Sequence, residues 1–253
     1  MVRRGVRTGE LLVNVVTSSE EGFDEEAFSG MLVGLELENR IVGILRTIND
    51  RLADAVYCDE LRVLYGRDYY MEEILGLQFK VSAFSFFQTN VEAVENLYSY
   101  ALELIDDFED KTVFDLYCGT GTITQTLAKK AKKAIGIELV EEAVEAAKAN
   151  AAFNGLDNCE FIAGDVFEVL KRVQDKPEVI VVDPPRVGIS PDALDQIIGY
   201  GVKQIVYISC NPKSLAENLY YMQYYGYKVE SVKPFDNFPG TKHVECAALL
   251  NRR

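Results

Sequence analysis

The chain has 253 residues, 48% hydrophobic and 26% charged, with a net charge of −14. That suffices for one large core, or one core and a smaller module, and it argues against a surface that is basic all over, as a nucleic-acid platform would be. One histidine and five scattered cysteines without a CxxC exclude multi-histidine metal sites, zinc ribbons and a disulfide scaffold, so no metal is expected.

No apolar run approaches the roughly 18 residues of a membrane span, and Met1-Val2-Arg3-Arg4-Gly5 starts no signal-peptide core. A cytoplasmic monomer with no membrane association is the expectation. Residues 1 to 85 lack α/β alternation. Glu10 to Thr17 is predicted as a strand and Asp24 to Leu37 as a helix. Ile41 to Ile48, Ala55 to Leu64 and Phe79 to Phe84 are further predicted strands, with a turn at Gly66-Arg67-Asp68. This is a small α+β module. It opens without lead-in on Arg3, Arg4 and Arg7, the one evident basic cluster, as the latter part of a larger domain would.

Phe84 to Asn90 is the junction. Thr89 or Asn90 can cap the helix that follows, Val91 to Asp107, whose apolar positions keep the helical period. From Lys111 the pattern turns regular. Strands Thr112 to Tyr117, Ala134 to Leu139, Glu160 to Ala163, Val179 to Val182 and Gln204 to Ile208 alternate with helices Thr122 to Lys130, Glu141 to Asn154, Val166 to Val173, Pro191 to Tyr200 and Ser214 to Tyr225. Two strands without a helix follow, Lys228 to Pro234 and Val244 to Leu250. Five β/α units closed by a hairpin predict an α/β, doubly wound, Rossmann-like sheet with a reversed last strand, over residues 86 to 253.

Such sheets place ligands beyond the carboxyl ends of their strands. After the first strand, Gly119 and Gly121 permit close backbone approach. Glu138 ends the second strand, where a carboxylate suits two ribose hydroxyls. A dinucleotide site would carry a third small residue at position 124; Thr124 stands there instead. A tight turn that merely packs is the competing reading. Asp165 and Asp183 end the third and fourth strands. Three acids at successive tips would repel phosphates but suit adenosine with a cationic centre, which favours S-adenosylmethionine over NAD or ATP. Asp165 also reads as a helix N-cap, and Asp183 as a turn before Pro184-Pro185.

Cys210 ends the fifth strand on a turn with Asn211-Pro212, beside a helix N-terminus that favours a thiolate. It is read as a nucleophile, against the ordinary fate of a buried core cysteine. The reversed strand would begin at the same edge, bringing Glu245 to Cys210 as a base. Edge-strand solubilisation is the alternative role of Glu245. His243, two residues before it, would share its face and support the site by hydrogen bonding. The other four cysteines read as structural.

These pieces together resemble the RNA uracil-5-methyltransferases, which make 5-methyluridine in transfer and ribosomal RNA. The matching runs are Phe87-Gln88-Thr89-Asn90, Asp115 to Gly121, Gly136-Ile137-Glu138, Asp183-Pro184-Pro185-Arg186, Ser209-Cys210-Asn211-Pro212 and His243-Val244-Glu245. They occur in the family's order. The resemblance implies a class I methyltransferase fold, with residues 1 to 85 as part of a central substrate-binding domain. It implies Cys210 as nucleophile, Glu245 as base, and cofactor contacts from Gln88, Tyr117, Gly119, Glu138, Asp165 and Asp183. S-adenosylhomocysteine would be the by-product. The family's N-terminal RNA-binding barrel and iron–sulfur cysteine cluster are not matched, so no cluster is expected in this stretch.

The expected reaction is methyl transfer to C5 of a uridine through a cysteine–C6 adduct. A 5-methylcytidine enzyme, an amino-group methyltransferase and a non-enzymatic RNA-binding module are the alternatives. Arg186 in place of an aromatic after Asp-Pro-Pro, an otherwise idle Cys210, and the net charge count against the last two.

Overall fold

The structure, a computed structural model, describes residues 1–20, 22–51 and 58–253. Two units are resolved by their internal packing, Met1–Ser85 and Phe86–Arg253.

The first unit contains β1 (Val2–Arg4), β2 (Glu10–Thr17), α1 (Glu25–Val33), β3 (Arg40–Ile48), β4 (Glu60–Gly66), β5 (Tyr69–Ile74) and β6 (Leu77–Ser82). Strands β1-β2-β3-β4 form one sheet, parallel only between β2 and β3, and β5-β6 form a hairpin. Alternation buries Leu12, Ile44, Tyr70, Ile74, Phe79 and Val81. The predicted helix to Leu37 stops at Val33: none of its residues is buried, so no packing holds a further turn. The predicted strand from Ala55 begins at Glu60, and residues 55–57 lie outside the described residues. Strands β1 and β5 were not predicted. The arginine cluster also reads differently in the structure. Arg3 Nη1 donates to the carbonyls of Ser82 (2.6 Å), Ala83 (3.1 Å) and Ser85 (2.6 Å), so this side chain clamps the unit.

The second unit contains α2 (Val91–Glu103), β7 (Thr112–Leu116), α3 (Thr122–Ala128), β8 (Lys133–Glu138), α4 (Glu141–Phe153), β9 (Cys159–Ala163), α5 (Val166–Arg172), β10 (Val179–Val182), α6 (Pro191–Gly199), β11 (Gln204–Ser209), α7 (Pro212–Tyr224), β12 (Tyr227–Phe235) and β13 (Glu245–Arg252). The sheet order is β12-β13-β11-β10-β7-β8-β9. Strands β7 to β11 are parallel, and β13 runs antiparallel to both its neighbours, β11 and β12. This is the doubly wound α/β sheet with a reversed last strand that the sequence predicts. Val179 to Val182 and Gln204 to Ser209 are buried throughout, as strands covered on both faces must be. Strand order reverses between β7 and β10, and a crevice at such a switch point is where ligands bind. Helix α2 ends at Glu103, short of Asp107. Helix α7 starts two residues before the predicted Ser214, because Pro212 occupies its first turn without an N–H to lose.

Candidate active site

The loop after β7 is shaped by left-handed backbone. Tyr117 has φ 68°, Gly119 54° and Gly121 77°. A Cβ on Gly121 would come within 3 Å of Phe161 and Ala147, so this glycine is required by packing. A Cβ on Gly119 would meet nothing within 4 Å, so Gly119 borders open space. Glu138 holds this loop: Oε2 accepts the Gly119 N–H at 3.0 Å, and Oε1 accepts that of Val140 at 3.0 Å. Each oxygen retains acceptor capacity for a ligand hydroxyl.

Thr124, the residue that breaks the dinucleotide pattern, donates Oγ1 to Asp115 Oδ2 at 2.6 Å. Asp115 is fully buried and its Oδ1 has no hydrogen-bond partner. Burial lifts its carboxyl to about 7 against two hydrogen bonds from Thr124, with the charge of Glu138 adding to the rise. Asp165 is the N-cap of α5, accepting the Glu168 N–H at 3.2 Å. Its charge, after burial, pushes the Tyr117 phenol up. Asp183 stands at the tip of β10, its N–H on Leu116 O at 3.1 Å. Burial first, then Glu245 and Asp115, push its carboxyl up to about 8. Gln88 Nε2 lies 3.5 Å from the Tyr98 hydroxyl. That buried hydroxyl is hydrogen-bonded with Thr122 and lies within reach of the Asp183 charge. Gln88, Tyr98 and Thr122 therefore meet, within reach of the Asp183 charge. Tyr98 was invisible in sequence because its periodicity is that of a core residue of α2.

At the other end, the β11–β13 ladder closes with Ser209 opposite Cys246. Cys210 follows β11 directly and Glu245 opens β13 beside Cys246, and the Glu245 charge reaches the Cys210 thiol. Burial, then Glu245, then Asp183 raise the half-buried Cys210 thiol, and Arg186 opposes them. The expected thiolate preference is thus corrected: burial and two carboxylates raise the thiol, and Asn211 Oδ1 already accepts the Lys213 N–H of the helix end at 3.1 Å. Glu245 is itself raised by burial, with Arg186 again opposing. Arg186 is the cation whose charge acts on both Cys210 and Glu245. Its place after three acids at strand tips was a signal: an acidic edge needs a counter-charge.

His243 lies before β13 begins, so the two-apart rule does not apply to it. Its Nδ1 is 3.2 Å from Arg186 Nη2. An arginine can only donate, so the ring proton belongs on Nε2. The loop after β12 is tied down at buried Asn237, whose carbonyl accepts Asn90 Nδ2 at 3.0 Å. Asn90 also caps α2 through Ala93 N. Cys118 and Cys246 are buried and Cys159 half-buried, but Cys58 is exposed and fills no core position. Three raised carboxyls, one of them with an orphaned oxygen, together with an open glycine loop, suit a cationic ligand with hydrogen-bond donors. The set includes no group of side chains able to hold a metal ion among the described residues.

Comparison with known proteins places this geometry. An uncharacterized RNA methyltransferase of Clostridium tetani is 51% identical over 253 residues, covering 100% of this chain and 56% of its own length. One from Bacteroides thetaiotaomicron is 40% identical over 258 residues and is covered over 57% of its length. The chain thus spans little more than half of these relatives. The crystal structure of the Pyrococcus abyssi tRNA (uracil-54, C5)-methyltransferase in complex with S-adenosyl-L-homocysteine superposes with a TM-score of 0.83 at 30% identity, over 98% of this chain and 58% of that one. The profile of the tRNA (uracil-5-)-methyltransferase family matches residues 59–253, three quarters of the sequence, and the chain belongs to that family.

Proposed function

We propose that the protein methylates C5 of a uridine in ribosomal or transfer RNA, using S-adenosylmethionine. The observation that carries this reading is that Cys210, just past β11, lies within reach of the charges of Glu245, at the start of β13, and Asp183, at the tip of β10. S-adenosylmethionine supplies an electrophilic methyl group. Gly119 and Glu138 would hold its adenosine, and Asp183 with Gln88 would face its charged end. Tyr117 and Asp165 border the same crevice. S-adenosylhomocysteine, bound to the Pyrococcus abyssi relative, is the corresponding product.

Uracil C5 is a weak nucleophile. Cys210, its proton lost to solvent, would form a bond from Sγ to C6, and the electron pair of the C5–C6 double bond would make C5 an enolate carbon that takes the methyl group as the methyl–sulfonium bond breaks, leaving S-adenosylhomocysteine. Glu245 then accepts the C5 proton, the double bond re-forms, and the Sγ–C6 bond breaks. The raised carboxyl of Glu245 suits a group that must take a proton and give it up again. Phe86, 77% exposed beside Gln88, is available to stack on a base taken out of its RNA stack. Residues 1–85 belong, on this reading, to a substrate-binding domain.

The test uses RNA carrying 5-fluorouridine, from which no C5 proton can be removed. An adduct mapping to Cys210 is expected, none with Cys210→Ala, and a persistent adduct on ordinary uridine RNA with Glu245→Gln. An adduct on another cysteine, or a 5-methylcytidine product, would overturn the assignment.

A further inference from the structure

Three side chains along α7 reach a single turn. Asn211 Nδ2 donates to Arg186 O at 2.8 Å, and Ser214 Oγ donates to the same oxygen at 3.1 Å. Asn218 Oδ1 accepts the Ile189 N–H at 2.8 Å, and its Nδ2 donates to Ile189 O at 3.0 Å. Spacings of three and four put these residues on one helical stripe. The turn they hold is closed by Gly188 N on Pro185 O at 2.8 Å, with Gly188 at φ 81°. A Cβ there would stand 2.8 Å from Asn218 Oδ1 and 3.1 Å from Ser214 Cβ, so the turn lies directly on the helix. Asn218 Oδ1 also accepts the Tyr207 hydroxyl at 2.7 Å. Tyr207 is fully buried in β11, three residues before Cys210. One carboxamide thus joins the strand that presents the nucleophile, the helix that follows it, and the turn that presents Arg186.

Arg186 is exposed, so little packing restrains its long side chain. Its anchored backbone and the His243 contact fix where the guanidinium stands. We propose that Asn218 is a positioning residue. By fixing the Pro185–Ile189 turn on α7, with Ser214, it keeps Arg186 beside Cys210 and Glu245 and so sets the reactivity of the thiol from outside the site. This rests on reading Cys210 as the nucleophile, but the outcome below is a property of the thiol and needs no RNA.

The test is the rate of iodoacetamide alkylation of Cys210, followed by peptide mapping from neutral to alkaline pH on the whole chain. Exposed Cys58 serves as reference in the same sample. Asn218→Ala should move the Cys210 profile to higher pH and slow alkylation near neutrality about three- to tenfold, half to one pKa unit. Arg186→Met should do the same, and the double variant should lose no more than Arg186→Met alone. Ser214→Ala, which leaves the Asn211 bond in place, should give a smaller loss in the same direction. A merely structural Asn218 would lower the melting temperature and leave the Cys210 profile unchanged, which overturns the proposal. Additive losses in the double variant overturn it too. Should Asn218→Ala fail to fold, Ser214→Ala decides alone, and an unchanged profile there is the overturning result.

Discussion

Glu10 and Glu245 are buried to the same depth, 6% and 7% exposed, one in each unit, yet their carboxyls move in opposite directions. Burial pushes both up. At Glu10 the Met71 N–H at 2.7 Å, Arg67, and Arg40 at 3.1 Å outweigh burial, and the carboxyl falls below its ordinary range. Glu25 falls likewise between Arg46 (2.6 Å) and Arg62 (3.1 Å). At Glu245 burial dominates and only the exposed Arg186 opposes it. Asp183 and Asp115 rise as well. The first unit uses its arginines to satisfy its own acids. The second leaves carboxyls crowded at one sheet edge, an arrangement that weakens the fold and that chemistry can use.

The largest effect should come from the centre of that crowded edge. Cys210→Ala is expected to lower methyl incorporation from labelled S-adenosylmethionine by about 10³-fold or more, with the fold intact by circular dichroism. Retained turnover would remove the reason for the unpaired acids.

Next come two substitutions of opposite sign. Glu10→Gln leaves Arg40 and Arg67 facing a neutral amide and should destabilise the chain by about 2–3 kcal/mol in urea unfolding at neutral pH. Asp183→Asn should stabilise it, by about 1–3 kcal/mol at pH 8 and above. Asp183 has an ordinary value of 3.8 and about 8 when folded. Between these it is protonated in the folded chain and ionised in the unfolded one. Its contribution to stability therefore declines as pH rises through that window. Glu10, lowered on folding, stabilises above its ordinary value and loses that contribution as pH falls through its folded one. If both substitutions destabilise equally at pH 8, the contrast between the units fails.

The smallest effect is a proton count. A cation in the crevice favours ionised Asp183, so S-adenosylmethionine binding near pH 7 should release about half a proton or more. The neutral sulfur of S-adenosylhomocysteine should release less. Calorimetry in two buffers of different ionisation enthalpy reads both, and equal release would place the charge elsewhere.

Much of this was legible in the residues. Strands β10 and β11 are apolar runs buried throughout, and sequence patterns report such burial well. The acids at the strand ends, Glu138, Asp165 and Asp183, stand out because each follows an apolar run. Strand β5 was hidden: its inward face carries Glu72, which accepts the N–H groups of Val6 (2.5 Å) and Arg7 (3.0 Å), so hydropathy alternation fails there. The raised Cys210 thiol was hidden too, since besides burial it depends on Glu245 and Asp183, 35 and 27 residues away in the chain. Asn218 looks in sequence like any polar residue on a helix, and only the turn packed on α7 gives it a partner.

Strand β13 follows β11 and β12 in the chain but lies between them. Without β13, β12 has no strand to join, because its only partner in the sheet is β13. Glu245 reaches the thiol only when β13 slots into the gap, bringing β12 into the sheet with it. One strand thus carries both the closure of the sheet and the carboxylate that faces the thiol, so a change that loosens β13 reaches the Cys210 environment and the sheet edge together.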